Sequence, residues 1–92
     1  MATPARYTLA VESDVERIFT SLKRKNPDVF RDVEAGILKI LRSPELGKPL
    51  RNVLRNRRRL HIAGSFVLIY EITANEVRLL DFDHHDKIYK KR

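Results

Sequence analysis

Cysteine and tryptophan are absent from the 92 residues, methionine occurs once and glycine three times. Without cysteine there are neither disulfides nor thiolate metal sites, so stability has to come from packing. No apolar run approaches the ~20 residues that a membrane-spanning helix requires. The opening MATPARYTLAV also lacks the apolar stretch of a signal peptide. These absences set the expectation of a cytoplasmic protein with no membrane partner. No repeat, low-complexity tract or shift in composition divides the chain, so residues 1–92 are expected to form a single domain. A domain of this size buries only roughly 60 to 65% of the surface its unfolded form exposes.

What is present suffices for a core: 42% of residues are hydrophobic, against 34% charged, enough apolar surface to offset the entropy of ordering. The net charge is +7, and it is uneven. Residues 1–50 hold nine Lys/Arg and seven Asp/Glu, whereas residues 51–92 hold ten and five. An excess of cations favours a polyanionic partner, either nucleic acid through its phosphates or an acidic protein, and both associations weaken with salt.

The apolar positions give the order of elements. ARYTLAV (5–11) alternates Tyr7, Leu9 and Val11 with Thr8 and Ala10, as a strand does. ESDVERIFTSLKRK then places Val15, Ile18, Phe19 and Leu22 at helical spacing, with Ser13 and Glu16 in the pattern of a capping box. A second helix begins at Asn26 as N-cap with Pro27 at N1, presents Phe30, Val33, Ile37, Ile40 and Leu41 as one stripe, and stops at Ser43-Pro44. LGKPLRNVLRNRRR (46–59) reads as a loop carrying five arginines that enters a strand near residue 58. RRLHIA, SFVLIYEIT and EVRLLDFD follow as strands separated by Gly64-Ser65 and Ala74-Asn75, spacings that favour antiparallel hairpins. The middle strand is apolar at Val67 and Ile69 as well as at Phe66, Leu68, Tyr70 and Ile72, which predicts a central strand covered on both faces. The predicted class is α+β: β-α-α-β-β-β, an antiparallel-rich four-stranded sheet with a helical hairpin on one face and a short tail.

This order resembles that of the RelE/ParE toxin superfamily of type II toxin-antitoxin modules, over nearly the whole chain. The resemblance rests on GKPLRN before the sheet, on RLHIAGSFVLIYEI in place of the family's arginine-rich strand, hairpin and IY strand, and on the closing HHDKIYKK. Within the RelE branch the pattern is similar to the YafQ subgroup: His61 stands in HI ahead of LIY, and His85 stands four residues before Tyr89. The chain departs from that pattern at Lys48, where the subgroup has histidine, at Ser65-Phe66 in place of Asp-Trp, and at Asp81 in place of arginine. Val67 also stands where many RelE proteins carry an arginine.

The resemblance implies a toxin acting on mRNA at the ribosome as a metal-independent endoribonuclease, needing no cofactor and held inactive by a cognate antitoxin protein. The alternatives are a ParE-like toxin that inhibits DNA gyrase without cutting RNA, or a degenerate member that only binds RNA. Cleavage through the RNA 2'-hydroxyl needs a base, an acid and cations at the phosphate. Histidine suits both proton transfers because its ordinary pKa of ~6.5 lies near working pH. The catalytic candidates are therefore His61 and His85, with Lys48 and Arg59 supplying charge. Arg51, Arg55, Arg57, Arg58, Phe66, Lys87, Tyr89, Lys90 and Lys91 are the candidate RNA contacts, the arginines as an electrostatic footprint and the aromatics as stacking surfaces. Other readings stand beside these. His61 could be a half-buried, hydrogen-bonded histidine, and Phe66 could belong to the core. If the last strand persists, Asp81, Asp83 and His85 share one face and could hold a metal, while His84 faces the other way.

Overall fold

The computed structural model describes residues 7–50 and 56–91, except the side chains of Tyr89 and Lys91. Strand β1 (Thr8–Val11) leads into helices α1 (Ser13–Lys25) and α2 (Pro27–Arg42), and a single 3-10 turn, Pro44–Leu46, follows. Strands β2 (Lys48–Pro49), β3 (Arg57–Ile62), β4 (Phe66–Thr73) and β5 (Glu76–His84) then precede helix α3 (His85–Lys91). The predicted α+β class holds, with the short β2 bringing the sheet to five strands.

One residue makes the helical hairpin. Asn26 ends α1 by donating its amide to the Leu22 carbonyl (2.7 Å), and its side chain accepts the Val29 amide (3.3 Å) to cap α2. The capping box expected at Ser13 and Glu16 does not form. Glu12 is the N-cap of α1 without a side-chain capping bond, and its carboxylate instead binds Arg78 on β5 at 3.1 Å. That bond ties the start of α1 to the sheet, and the opposed carboxylates of Glu12 and Glu76 push the Arg78 pKa up.

The sheet order is β1-β5-β4-β3-β2, with β1 parallel to β5 and the other pairs antiparallel. The hairpin covers one face. Val15, Val33 and Ile40 from the helices pack there on Ile62, Leu68, Tyr70, Val77, Leu79 and Phe82 from the sheet. Helix α2 can approach β3 closely because Gly36 lacks a side chain: a Cβ there would lie 2.7 Å from the Ile62 Cδ1. As predicted, β4 is central and its two faces are both buried, for Val67 and Ile69 turn away from the hairpin and meet Ile88 of α3.

The tail is therefore not a tail. Residues His85–Lys91 coil into a short helix whose buried Ile88 packs it back over the second face of the sheet. A second departure lies within β5. Its register on β4 slips between Ile69 and Tyr70, so that Ile69 opposes Asp81 while Tyr70 opposes Leu79, leaving Leu80 as the extra residue of a bulge. Strict alternation from Val77 and Leu79 would have put Asp81 and Asp83 under the hairpin and Phe82 outside. The bulge reverses this, burying Phe82 and moving both carboxylates to the second face.

Candidate functional site

The three arginines of β3 divide between the faces of the sheet. Residues that oppose one another across an antiparallel ladder share a face, so the partners of each arginine place it. Arg58 opposes Tyr70 and lies on the hairpin side. Its Nη1 donates to the carbonyls of Gly47 (2.7 Å) and Glu45 (3.2 Å). Arg57 and Arg59 oppose Glu71 and Ile69 and lie on the second face, where Arg57 makes an ion pair with Glu71 at 3.4 Å.

His61 opposes Val67 and lies on that same second face, exposed. Lys48 of β2 directly opposes Arg59 and joins them. Lys48 is exposed, whereas Arg59 is half-buried and its Nε is enclosed. Two cations in direct cross-strand opposition repel, a cost that an anion between them removes. The second face thus carries an edge of Lys48, Arg59, the Glu71-paired Arg57 and His61. Beyond it run an apolar strip of Val67, Ile69 and Ile88 and, on β5, Asp81 and Asp83.

His85 is the first residue of α3, and its amide extends the ladder by bonding to the Ser65 carbonyl at 2.9 Å. Its imidazole Nδ1 lies 3.0 Å from the Asp86 carboxylate. From strand spacing and rise, the His61 and His85 backbones stand roughly 12 Å apart. Because β5 ends at His84, the alternation that would have aligned His85 with Asp81 and Asp83 stops one residue short. Among the described residues no three His, Asp or Glu side chains are grouped to hold a metal.

The candidate RNA contacts are scattered. Lys87 and Lys90 are exposed on α3. Phe66 is on the hairpin side, stacked on Phe82 (5.2 Å between centroids) and tilted against His84 (4.4 Å). It borders an open groove of about 490 Å³ along α1, lined also by Arg17, Ile18, Leu22 and Lys25. Arg51, Arg55 and the side chains of Tyr89 and Lys91 lie outside the described residues.

Sequence reasoning missed how the loop before β2 is held. Tyr70, fully buried, accepts the Gly47 amide (2.8 Å) and donates to the Pro44 carbonyl (2.6 Å). Burial pushes its pKa up, against the lowering effects of the Gly47 bond and the Arg58 charge. A Cβ on Gly47 would lie 2.6 Å from the Tyr70 hydroxyl and 2.7 Å from the Arg59 carbonyl, so only glycine fits. The signal was the tyrosine itself in a run of apolar core residues, since a buried phenol needs a hydrogen-bond partner.

Comparison with known proteins places this arrangement in context. The family model described as the ParE toxin of the type II toxin-antitoxin system parDE matches residues 5–89. A protein of Methanocaldococcus jannaschii designated toxin RelE4 is 32% identical over 88 residues, covering 94% of each chain. Among solved structures, the RelBE2 toxin-antitoxin complex of Mycobacterium tuberculosis contains a chain similar at 26% identity and a TM-score of 0.71, covering 92% of this chain and 95% of that one. YafQ of E. coli shares the fold at 16% identity, with a TM-score of 0.70 over 90% of this chain and 98% of its own.

Proposed function

The chain belongs to the ParE toxin family of type II toxin-antitoxin systems, and from that premise, within the wider RelE/ParE superfamily, we propose that it is a ribosome-dependent endoribonuclease cutting mRNA through the RNA 2'-hydroxyl. The observation that carries this reading is the Lys48–Arg59 cross-strand pair beside exposed His61 on one open face. In the reaction a base removes the 2'-hydroxyl proton, the 2'-oxygen bonds to phosphorus, the bond to the 5'-oxygen breaks, and an acid protonates that oxygen. The products are a 2',3'-cyclic phosphate and a 5'-hydroxyl.

Lys48 and Arg59 stabilise the charge that develops on the phosphorane oxygens. His61 and His85 carry the two proton transfers, their side chains closing a backbone span of roughly 12 Å onto one phosphodiester. Arg57, Lys87 and Lys90 border this face and hold neighbouring phosphates. Arg58 and Phe66 are occupied on the other side of the sheet and are not assigned RNA contacts. An acidic antitoxin covering the face would neutralise its cations and exclude RNA, in a complex that loosens as salt rises.

Mapping mRNA ends on translating ribosomes tests the reading. The wild type should produce cleavage within the ribosomal A site, and His61→Ala and His85→Ala should each reduce it by about 100-fold or more. Full cleavage by both folded variants would remove the histidines from the chemistry.

A second reading, a toxin that traps DNA gyrase and cuts no RNA, draws on Val67. The position where many RelE proteins carry arginine is here fully buried beneath Ile88, so that cation is missing from the face. DNA breaks dependent on gyrase, with intact mRNA, would decide for it.

A further inference from the structure

Strand β2 is held to β3 by few backbone bonds, the Leu50 amide to the Arg57 carbonyl (2.9 Å) among them. It has two residues, Lys48 and Pro49, and proline contributes no N–H to the ladder. Its exposed lysine stands directly opposite Arg59, a pairing of like charges that does not itself favour the strand's place at the sheet edge. Two side chains on the far side of the sheet and one backbone contact fix the segment that leads into it. The Tyr70 hydroxyl bridges the Pro44 carbonyl and the Gly47 amide, the Arg58 guanidinium binds the carbonyls of Glu45 and Gly47, and the bare Cα of Gly47 seats against the Arg59 carbonyl. Arg58 and Tyr70 are themselves direct cross-strand partners, so they grip one segment from adjacent strands. The residue that follows this grip is Lys48.

We infer that Tyr70 and Arg58 are positioning residues which, from the face opposite the substrate, hold Lys48 beside Arg59 so that the two cations meet one phosphate. This rests on the reading of Lys48 and Arg59 as phosphate-binding groups. It takes Arg58 out of the RNA footprint and makes it a backbone clamp. Neither Tyr70 nor Arg58 touches the RNA, so each acts only through Lys48.

A double-mutant cycle tests the inference, because residues acting through a common group do not contribute additively. The full chain, purified and added to translating ribosomes, is compared as Tyr70→Phe and Arg58→Met, each in the wild-type and in the Lys48→Ala background. With Lys48 present, each substitution should lower the cleavage rate about tenfold, within the range expected for a small misplacement of a reacting group. In the Lys48→Ala background each should have less than about a twofold effect. Hydrogen exchange at the Gly47 amide should quicken in Tyr70→Phe, reporting the released grip directly. Equal losses in both backgrounds would overturn the inference, as would full activity of both folded variants. If Lys48→Ala alone cuts at the wild-type rate, the phosphate-binding role of Lys48 fails and the inference fails with it. If Lys48→Ala is impaired but the cycle is additive, that role stands and only the positioning fails. Should Tyr70→Phe not fold, as judged by circular dichroism, Arg58→Met decides, since its side chain is only half-buried.

Discussion

Tyr70 is the residue whose loss should be felt most clearly. Tyr70→Phe keeps the ring in the core but leaves the Gly47 amide and the Pro44 carbonyl without their partner. The expected cost is about 1 to 3 kcal/mol, measured by urea unfolding near neutral pH. The pH dependence has a definite sign. Burial raises the Tyr70 pKa above its ordinary value of 10.0, so the folded protein retains a proton that the unfolded chain gives up. The corresponding stability is present below about pH 10 and is lost as pH rises through the folded pKa. Unfolding curves of wild type and Tyr70→Phe should therefore converge in alkali above about pH 10, and a constant gap would contradict the assigned burial. At this scale the sequence was only partly legible. Arg57 and Arg58 were expected in one RNA footprint, yet the alternation of β3 puts them on opposite faces. That Arg58 would be captured by two carbonyls could not be read, because those carbonyls arrive from a turn 11 and 13 residues away.

Among the elements, the hairpin of α1 and α2 was plain and the ends of the sheet were not. The helices announce themselves through long apolar stripes and through Asn26-Pro27, which combines a cap with the proline best tolerated at the first helical position. Asn26→Ala removes the cap of α2 and should cost about 1 kcal/mol. For a chain of this length that corresponds to a fall of about 4 to 8 °C in Tm, which calorimetry can read. Helix α3 was hidden because its seven residues are too few to show a period. Strand β2 was hidden by its two-residue length, and the bulge at Leu80 by the absence of any glycine or proline to mark it. Both bear on the site: β2 carries Lys48, and α3 carries His85.

For the molecule as a whole, order of elements and charge were legible together. The order of elements together with GKPLRN, RLHIAGSFVLIYEI and HHDKIYKK was enough to suggest the superfamily, and among the described cations of the second half Arg57 and Arg59 lie on the open face. Low sequence separation would let the hairpin and the β3–β4–β5 meander form early, but β1 pairs only with β5, across more than 60 residues. A chain ended after Thr73 lacks β5, so it also leaves β1 without its partner and the helices without Val77, Leu79 and Phe82. Such a fragment should show no cooperative thermal transition by circular dichroism, and a sharp one would contradict the central place given to β5.

The parallel pairing of β1 with β5 also fixes a moment in time. On the ribosome, chains emerge from the N-terminal end, so β1 is made early and waits while the helices and three more strands are synthesised. It can dock only when residues 76–79 have followed it out. His85, one residue beyond β5, emerges later still. A chain assembled in this order has no finished second face until β5 and His85 have emerged. On the proposed function, the catalytic pair His61 and His85 is complete only after β1 has docked on β5, so the activity follows the last long-range pairing of the fold.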